Sequence, residues 1–213
     1  AAVIGAGPAG CAAARAVTRA GLDVVLLERG RPGKDKACGD AFAPPAVTLL
    51  ASHGIDRDAI VALGGHQFTG TDLYRSDSTR WQLSAGAGWV IPRAALDQRL
   101  RDMTAQHVPI DYGAAVSEIT QQPGGGLILS LRHDDATATE MTCDAVILAT
   151  GSSNRLSAQW GIAGAPIMAA SISCYAPRER PESLLFQLTD ACRPGYGWIF
   201  PMAAGFVNIG VCA

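Results

Sequence analysis

The sequence predicts an α/β fold in which a dinucleotide-binding parallel sheet carries an inserted antiparallel sheet. Three observations predict it. The apolar run Ala1–Ile4 enters the loop Gly5-Ala6-Gly7-Pro8-Ala9-Gly10, and an alanine-rich segment follows. Strand, G-x-G-x-x-G and helix in that order form a Rossmann-like dinucleotide fingerprint. The stretches Asp23–Leu27 and Asp144–Thr150 hold further unbroken apolar runs, which read as parallel strands buried on both faces. Between His66 and Leu83, by contrast, Phe68, Leu73, Tyr74, Trp81 and Leu83 sit among Thr, Ser, Asp and Arg. That pattern predicts antiparallel strands with one solvated face.

In the glycine loop, Gly5 allows the tight turn and Gly7 lets backbone approach a pyrophosphate. Gly10, with Ala14 one turn on, lets helix and strand pack closely. Pro8 and Ala9 open the helix, whose unpaired N–H groups and dipole favour an anion. Glu28 ends the second strand, about 20 residues along, where the fingerprint places an acid on the ribose hydroxyls. A carboxylate there repels a 2′-phosphate and disfavours NADP in this site. The competing reading of Glu28 is a solvated strand-end acid. Arg29 follows it and is counted with the cofactor residues.

Composition bounds the function. The 213 residues are 48% hydrophobic, enough for one sizeable domain or two interleaved ones with a real core. A net charge of −2 gives no footprint for nucleic acid. No apolar run approaches the roughly 18–20 residues of a membrane span. The six cysteines (11, 38, 143, 174, 192, 212) show no C-x-x-C pair or metal-ligand spacing. They read as reduced, which suggests a cytoplasmic protein. The four histidines (53, 66, 107, 133) form neither a metal cluster nor a catalytic triad order. No metal is expected. Both ends read as cut: the first residue lies inside a strand, and Phe206–Ala213 stops in mid-strand.

Taken in order, helices are expected over Pro8–Ala20, closed by Gly21, then Pro45–His53 and Asp56–Leu63. The stretch Arg29–Pro45 is expected as a long loop, a length that is usually functional or mobile. A helix runs from Val90-Ile91-Pro92-Arg93 to Gln106, with Pro92 in its first turn and Leu96, Leu100 and Met103 on one face. Short strands follow at Val108–Tyr112, Ala115–Thr120, Leu127–Arg132 and Glu140–Thr142. The run ending at Thr150-Gly151 returns to the nucleotide sheet. Beyond Asn154 come a short helix and strands near 166–175, 183–189, 196–200 and 205–213. The expected division is a nucleotide domain at 1–65 and 89–160 and a sheet domain at 66–88 and 161–213.

Several stretches together resemble the FAD-dependent geranylgeranyl reductase family, within the flavin monooxygenase-like folds. They are the glycine loop, Asp35-Lys36-Ala37-Cys38-Gly39-Asp40, Ile91-Pro92-Arg93 with Leu96-Asp97, and Val146–Gly151. The most selective is Tyr196-Gly197-Trp198-Ile199-Phe200-Pro201, which completes the family's Y-x-W-x-F-P signature and is followed by Asn208-Ile209-Gly210. The nearest likeness is to actinobacterial reductases acting on menaquinone. The resemblance implies a glutathione-reductase/hydroxybenzoate-hydroxylase-like FAD-binding domain with an inserted antiparallel-sheet substrate domain. It also implies FAD in the glycine loop and reduction of carbon–carbon double bonds in an apolar prenyl-type substrate. Thr150 departs from the family, where Asp-Gly is common, so the roles of that aspartate do not carry over. The family's later Gly-Asp flavin motif would lie beyond Ala213.

For the chemistry, the resemblance points to Tyr196 as a wall against the substrate or a phenolic proton donor, and to Trp198 as an apolar wall. Aromatics spaced by two on a strand are also ordinary core. Cys38 is implied as a proton donor or cavity wall near the flavin, with Gly39 beside it; read without the family it is small apolar filler. Arg93 is implied as a contact to FAD phosphate or ribityl oxygens, against a surface salt bridge. Thr150 and Gly151 complete the cofactor set. No second dinucleotide fingerprint appears, so NAD(P)H would bind transiently or a ferredoxin-type protein would deliver electrons. Prenyl lipids add peripheral membrane contact to the expectations. The alternatives are a related FAD-dependent monooxygenase, halogenase or dehydrogenase of a tailored metabolite, or a non-catalytic prenyl-protein escort on the same fold.

Overall fold

The computed structural model describes residues 1–33, 35–83, 86–153, 155–162, 169–179 and 181–213. By packing, the chain divides into two units, Ala1–Lys34 with Asp97–Met168 and Asp35–Leu96 with Ala169–Ala213.

The first unit is built on β1 (Ala2–Ile4), whose three residues are all buried. It pairs in parallel with β2 (Val25–Glu28) on one side and β12 (Val146–Leu148) on the other. Strand β8 (Ile110–Tyr112) extends the sheet, giving the order β12-β1-β2-β8. The run ending at Thr150-Gly151 therefore does return to the nucleotide sheet. Helix α1 (Pro8–Arg19) has Pro8 in its first turn, where the missing N–H costs nothing, and buries Gly10, Cys11 and Ala14. It ends in a Schellman motif. Gly21, at φ 76°, donates to Thr18 O at 3.0 Å, and Leu22 donates to Val17 O at 3.3 Å. A second, antiparallel sheet has the order β11-β10-β9, from β9 (Ala115–Gln121), β10 (Leu127–Arg132) and β11 (Ala138–Cys143). Leu129 and Leu131 project from β10 into a core that also holds Ala2, Ile4, Leu27, Ile119 and Leu156, the last from α5 (Arg155–Gln159).

The second unit centres on a six-stranded sheet of order β13-β16-β15-β14-β5-β6. Its strands are β5 (Thr71–Arg75), β6 (Arg80–Leu83), β13 (Ser171–Pro177), β14 (Leu184–Leu188), β15 (Tyr196–Pro201) and β16 (Phe206–Cys212). A small sheet of order β3-β7-β4 joins β3 (Ala41–Phe42), β7 (Gly88–Val90) and β4 (His66–Phe68). Helix α2 (Pro44–Ser52) and helix α3 (Arg57–Ala62) lie between β3 and β4 in the chain. Asp56 caps α3 by accepting from the Ala59 N–H at 2.9 Å. Phe68, Val90, Leu184, Trp198, Phe200 and Met202 form this unit's core.

Three expectations need correction. The 66–83 stretch does form antiparallel strands, β5 with β6 and β4 with β7, but in two separate sheets, and β5 pairs in addition with β14 in parallel. That pairing joins segments about a hundred residues apart, and no local pattern encodes it. Val90 lies in β7, a fully buried strand without alternation, and α4 (Arg93–Ala105) begins only after Pro92. The loop expected over Arg29–Pro45 contains β3 and the start of α2. Because β3 and β4 both pair with β7, residues 35–65 and 89–96 pack with the second unit, where the sequence division put them with the nucleotide domain. The packing boundary falls inside α4, between Leu96 and Asp97. Of the strand expected near 166–175, residues 166–168 lie outside the described residues, and β13 occupies 171–177.

Leu129 is fully buried, and its truncation to alanine leaves a cavity that β10 and β9 cannot close without breaking their ladder. Leu129→Ala is expected to lower unfolding free energy by about 2–5 kcal/mol in urea titrations. A loss below about 1 kcal/mol would show that the two sheets of this unit do not share one core.

Candidate functional site

The glycine loop is shaped by backbone crowding. Gly5 holds φ at 104°, and its N–H donates to Leu27 O at 2.7 Å. A Cβ at Gly5 would strike the Ala149 carbonyl, and one at Gly10 would strike the Gly5 carbonyl. Helix α1 can therefore start this close to β1 only with glycine at both places. Around Gly7 nothing lies within 4 Å of where a Cβ would stand, so that side of the loop is open. No side chain caps α1 and its first turn holds no acid. Its first N–H groups, which lack intrahelical partners, face no competing carboxylate of their own helix.

Glu28 has a definite task. One carboxylate oxygen accepts from the Ala6 N–H at 2.8 Å and the other from the Gly30 N–H at 2.7 Å. The side chain thus braces the glycine loop against the end of β2. Each oxygen keeps acceptor capacity beyond its single backbone partner. Gly5, Glu28, Arg29 and Thr150 all line an open cleft of about 940 Å3, together with Arg132 and Arg155. A volume of this order suits a cofactor-sized ligand. Thr150 is pinned by its hydroxyl, which donates to Ser153 O at 2.6 Å, and Gly151 follows at φ 66°. The cradle fits a dinucleotide: crowded where helix meets strand, open at Gly7, with an acid at the end of β2.

The other predicted residues gather in the second unit. Cys38, Gly39, Arg93, Tyr196 and Trp198 belong to one neighbourhood. The Arg93 guanidinium donates to Cys38 Sγ at 3.6 Å, and the Asp40 N–H donates to the same sulfur at 3.3 Å. Gly39 lies so close to the Phe200 ring and the Trp198 indole nitrogen that a side chain there would collide with the ring. Tyr196 and Trp198 share a face of β15, with ring centroids 6.0 Å apart. Trp198 is only 5% exposed, while Tyr196 is 38% exposed. Phe186, opposite Trp198 on β14, packs at a tilt against Tyr196 at 5.4 Å and edge-on against Phe200 at 5.0 Å between ring centroids. The register puts Leu73 of β5 beside Phe186, and Trp81 of β6 beside Leu73. One sheet face therefore presents a continuous aromatic and aliphatic surface. Partial burial pushes the Tyr196 phenol up from its ordinary value, with nearby Cys212 adding to the effect.

Sequence reasoning missed the polar cluster beside these rings, on the same sheet face, where Phe200, Asn208 and Tyr175 are paired in register. Asp40, with φ at 62°, is 1% exposed, and its carboxylate accepts from Tyr175 OH at 2.8 Å and Asn208 Nδ2 at 2.9 Å. The Arg93 backbone N–H also donates to it. Asn208 Nδ2 donates in addition to Cys38 O at 2.7 Å, and Asn208 Oδ1 accepts from Trp198 Nε1 at 2.9 Å. A lone asparagine inside the apolar run Phe206–Cys212 was the available signal, since a buried polar group must find partners. Tyr175 gave no such signal. Burial raises the Asp40 carboxyl above its ordinary range despite these donors, and burial together with Asp40 raises the Tyr175 phenol. Among the described residues no group of three or more His, Cys, Asp or Glu could hold a metal, and no helix is long and apolar enough to cross a membrane.

A raised carboxyl means that the folded state holds the Asp40 proton more tightly than the unfolded chain. Its contribution to stability is complete below the ordinary aspartate value, about 4, and is lost as pH rises through the raised value. Thermal unfolding from pH 4 to 8 should therefore show wild type losing ground to Asp40→Asn as pH rises. Parallel curves for the two proteins would contradict the assignment.

The sequence model of the pyridine nucleotide-disulphide oxidoreductase family matches residues 1–185. Among curated proteins, a menaquinone reductase of Mycolicibacterium smegmatis is 30% identical over 223 aligned residues, covering 99% of this chain and 54% of that protein. A digeranylgeranylglycerophospholipid reductase of Methanosarcina acetivorans is 29% identical over 231, covering 98% and 53%. The chain spans about half the length of the curated relatives it matches. Among solved structures, a geranylgeranyl bacteriochlorophyll reductase-like protein from Thermoplasma acidophilum matches with a TM-score of 0.82 at 21% identity, covering 100% of this chain and 55% of that one. A flavin-dependent brominase matches with a TM-score of 0.82 at 19% identity, covering 99% and 56%. These structural likenesses show the fold, that of flavoproteins with a Rossmann-like sheet. The resemblance to prenyl reductases read from the glycine loop and Tyr196–Pro201 is borne out by the names of the relatives. With its match running from the glycine loop to Leu185, the chain belongs to the pyridine nucleotide-disulphide oxidoreductase family.

Proposed function

We propose that this chain is part of an FAD-dependent oxidoreductase that reduces carbon–carbon double bonds of a polyprenyl or isoprenoid substrate. The observation that carries the proposal is the aromatic face of the six-stranded sheet, with half-exposed Tyr196 beside Trp198 and the Cys38 loop packed against them. A flat apolar chain needs such a wall, and burial of each methylene contributes about 0.8 kcal/mol. The relatives named as menaquinone and digeranylgeranylglycerophospholipid reductases support the same class.

In this reading Gly5, Gly7, Pro8, Ala9 and Gly10 hold the pyrophosphate of FAD, with Glu28 and Arg29 at its ribose and Thr150-Gly151 beside them. Arg93 and Gly39 serve the flavin end. Reduced FAD supplies the hydride that an unactivated alkene requires. The chain's own part is to orient the alkene, exclude water and deliver a proton to the second carbon. Tyr196, whose raised phenol stays protonated near neutral pH, and the Cys38 thiol are the proton donors within the neighbourhood. Trp198 is the wall that holds the alkene in place. By role, 1–65 and 89–160 serve FAD and 66–88 with 161–213 serve the substrate, a division that differs from the packing units because 35–65 and 89–96 pack with the second unit. The electron donor is NAD(P)H bound transiently or a ferredoxin-type protein, and a prenyl-lipid substrate places the cytoplasmic enzyme at a membrane surface.

A second reading, flavin-dependent halogenation or monooxygenation, is favoured by the fold shared with the brominase and with a p-nitrophenol monooxygenase. Mass spectrometry separates the two. The full-length protein, reduced anaerobically with dithionite and given a geranylgeranyl lipid, or menaquinone that is reoxidised to the quinone before analysis, is expected to return a product two mass units heavier in its prenyl chain. Unchanged lipid anaerobically, with oxygenated or halogenated product in air, would overturn the reductase reading in favour of the second.

A further inference from the structure

Asn208 is fully buried in the middle of β16, where every flanking residue of the strand except Gly210 is apolar. A carboxamide there is costly unless its hydrogen bonds are made, and a leucine or valine would fill the space if packing were the only need. All three of its bonds go to the neighbourhood described above. The indole N–H of Trp198 can only donate, so Oδ1 must face it, and Nδ2 then faces two acceptors, Cys38 O and the Asp40 carboxylate. The orientation of the amide is fixed by its partners. Both hydrogens of Nδ2 are spent on the Cys38–Asp40 loop. No other single side chain bonds both that loop and the Y-x-W-x-F-P strand among the described hydrogen bonds.

Cys38 itself is held at each polar atom. Its N–H donates to Ser173 Oγ at 3.3 Å, its carbonyl accepts from Asn208 at 2.7 Å, and its sulfur accepts from the Asp40 N–H and the Arg93 guanidinium. The Asn208 bond is the shortest of the four. Asp40, gripped by Asn208 and Tyr175, carries the turn that aims the sulfur.

We infer that Asn208 is a positioning residue: its carboxamide locks the Cys38–Asp40 loop to Trp198 and so sets where the Cys38 thiol stands beside the aromatic face. This rests on the proposed reductase reading only for its consequence in turnover; the placement of the thiol can be read without it. Asn208→Leu removes all three bonds and leaves the Trp198 N–H, the Cys38 carbonyl and one Asp40 bond unmet. Asn208→Asp keeps the volume and the Trp198 bond but sets an acceptor against two acceptors.

The test uses the full-length flavoprotein and iodoacetamide, with alkylation of Cys38 and of exposed Cys174 followed peptide by peptide. In both variants the Cys38 rate relative to Cys174 is expected to change by about tenfold, the scale of losing a buried hydrogen-bonded anchor. Turnover of prenyl lipid should fall with KM little altered. Should Asn208→Leu fail to fold, the isosteric Asn208→Asp decides. An unchanged Cys38-to-Cys174 ratio in a folded variant overturns the inference whatever happens to turnover. If wild type reduces no prenyl lipid yet the ratio shifts as expected, the positioning stands and the reductase reading falls. If prenyl reduction proceeds and the ratio does not move, the function stands and Asn208 has no positioning role.

Discussion

The contact between the Gly5 carbonyl and the backbone of Gly10 is the constraint on which the nucleotide half of this protein depends. It lets α1 begin directly at the end of β1, and it makes the glycine pattern a steric requirement rather than a signature. A methyl group at either position would push the helix away from the sheet. With the helix end placed, the remaining geometry follows: Glu28 reaches back to the Ala6 N–H, the loop closes, and the cleft over Gly5, Arg29 and Thr150 takes its shape. The dipole of α1 then points at the open side near Gly7, where a pyrophosphate is best stabilised.

The second unit is organised by a different kind of constraint. There a buried carboxylate, not a close backbone approach, gathers the elements. Asp40 draws donors from β13, from β16 and from the first residue of α4. Its desolvation is only partly offset by them, which is why its proton is held more tightly than usual. Hydrogen-bonded polar groups thus stand beside aromatic rings on one sheet face, tied to them by the Trp198–Asn208 bond. Asp40 and Asn208 are as deeply buried as Trp198 and Phe200, while Tyr196 is partly exposed.

The sequence made the parts of this structure legible where one short stretch carries the whole physical requirement. The glycine loop, the closing Gly21 and the apolar runs at Val25–Leu27 and Val146–Leu148 are of this kind, and each appears in the structure as read. What lay hidden depends on partners far apart in the chain. Nothing near Thr71 announces a parallel pairing with Leu184, and three buried residues at Gly88–Val90 have no alternation to reveal a strand. The same holds for the site. Cys38, Gly39 and Asp40 stood out as a motif, but the bonds from Tyr175 and Asn208 that hold them come from well over a hundred residues later. Glu28 was placed correctly at the end of β2, yet its bond to Ala6 became apparent only with the loop folded over it.

That this cradle belongs to a flavoprotein is tested most directly by the absorption spectrum of the purified full-length protein, with identification of whatever nucleotide it releases on denaturation. A flavin band near one equivalent per chain is expected, with FAD as the released compound. A protein that carries no flavin and takes up none when FAD is added, or that binds only a nicotinamide dinucleotide at the glycine loop, would contradict it.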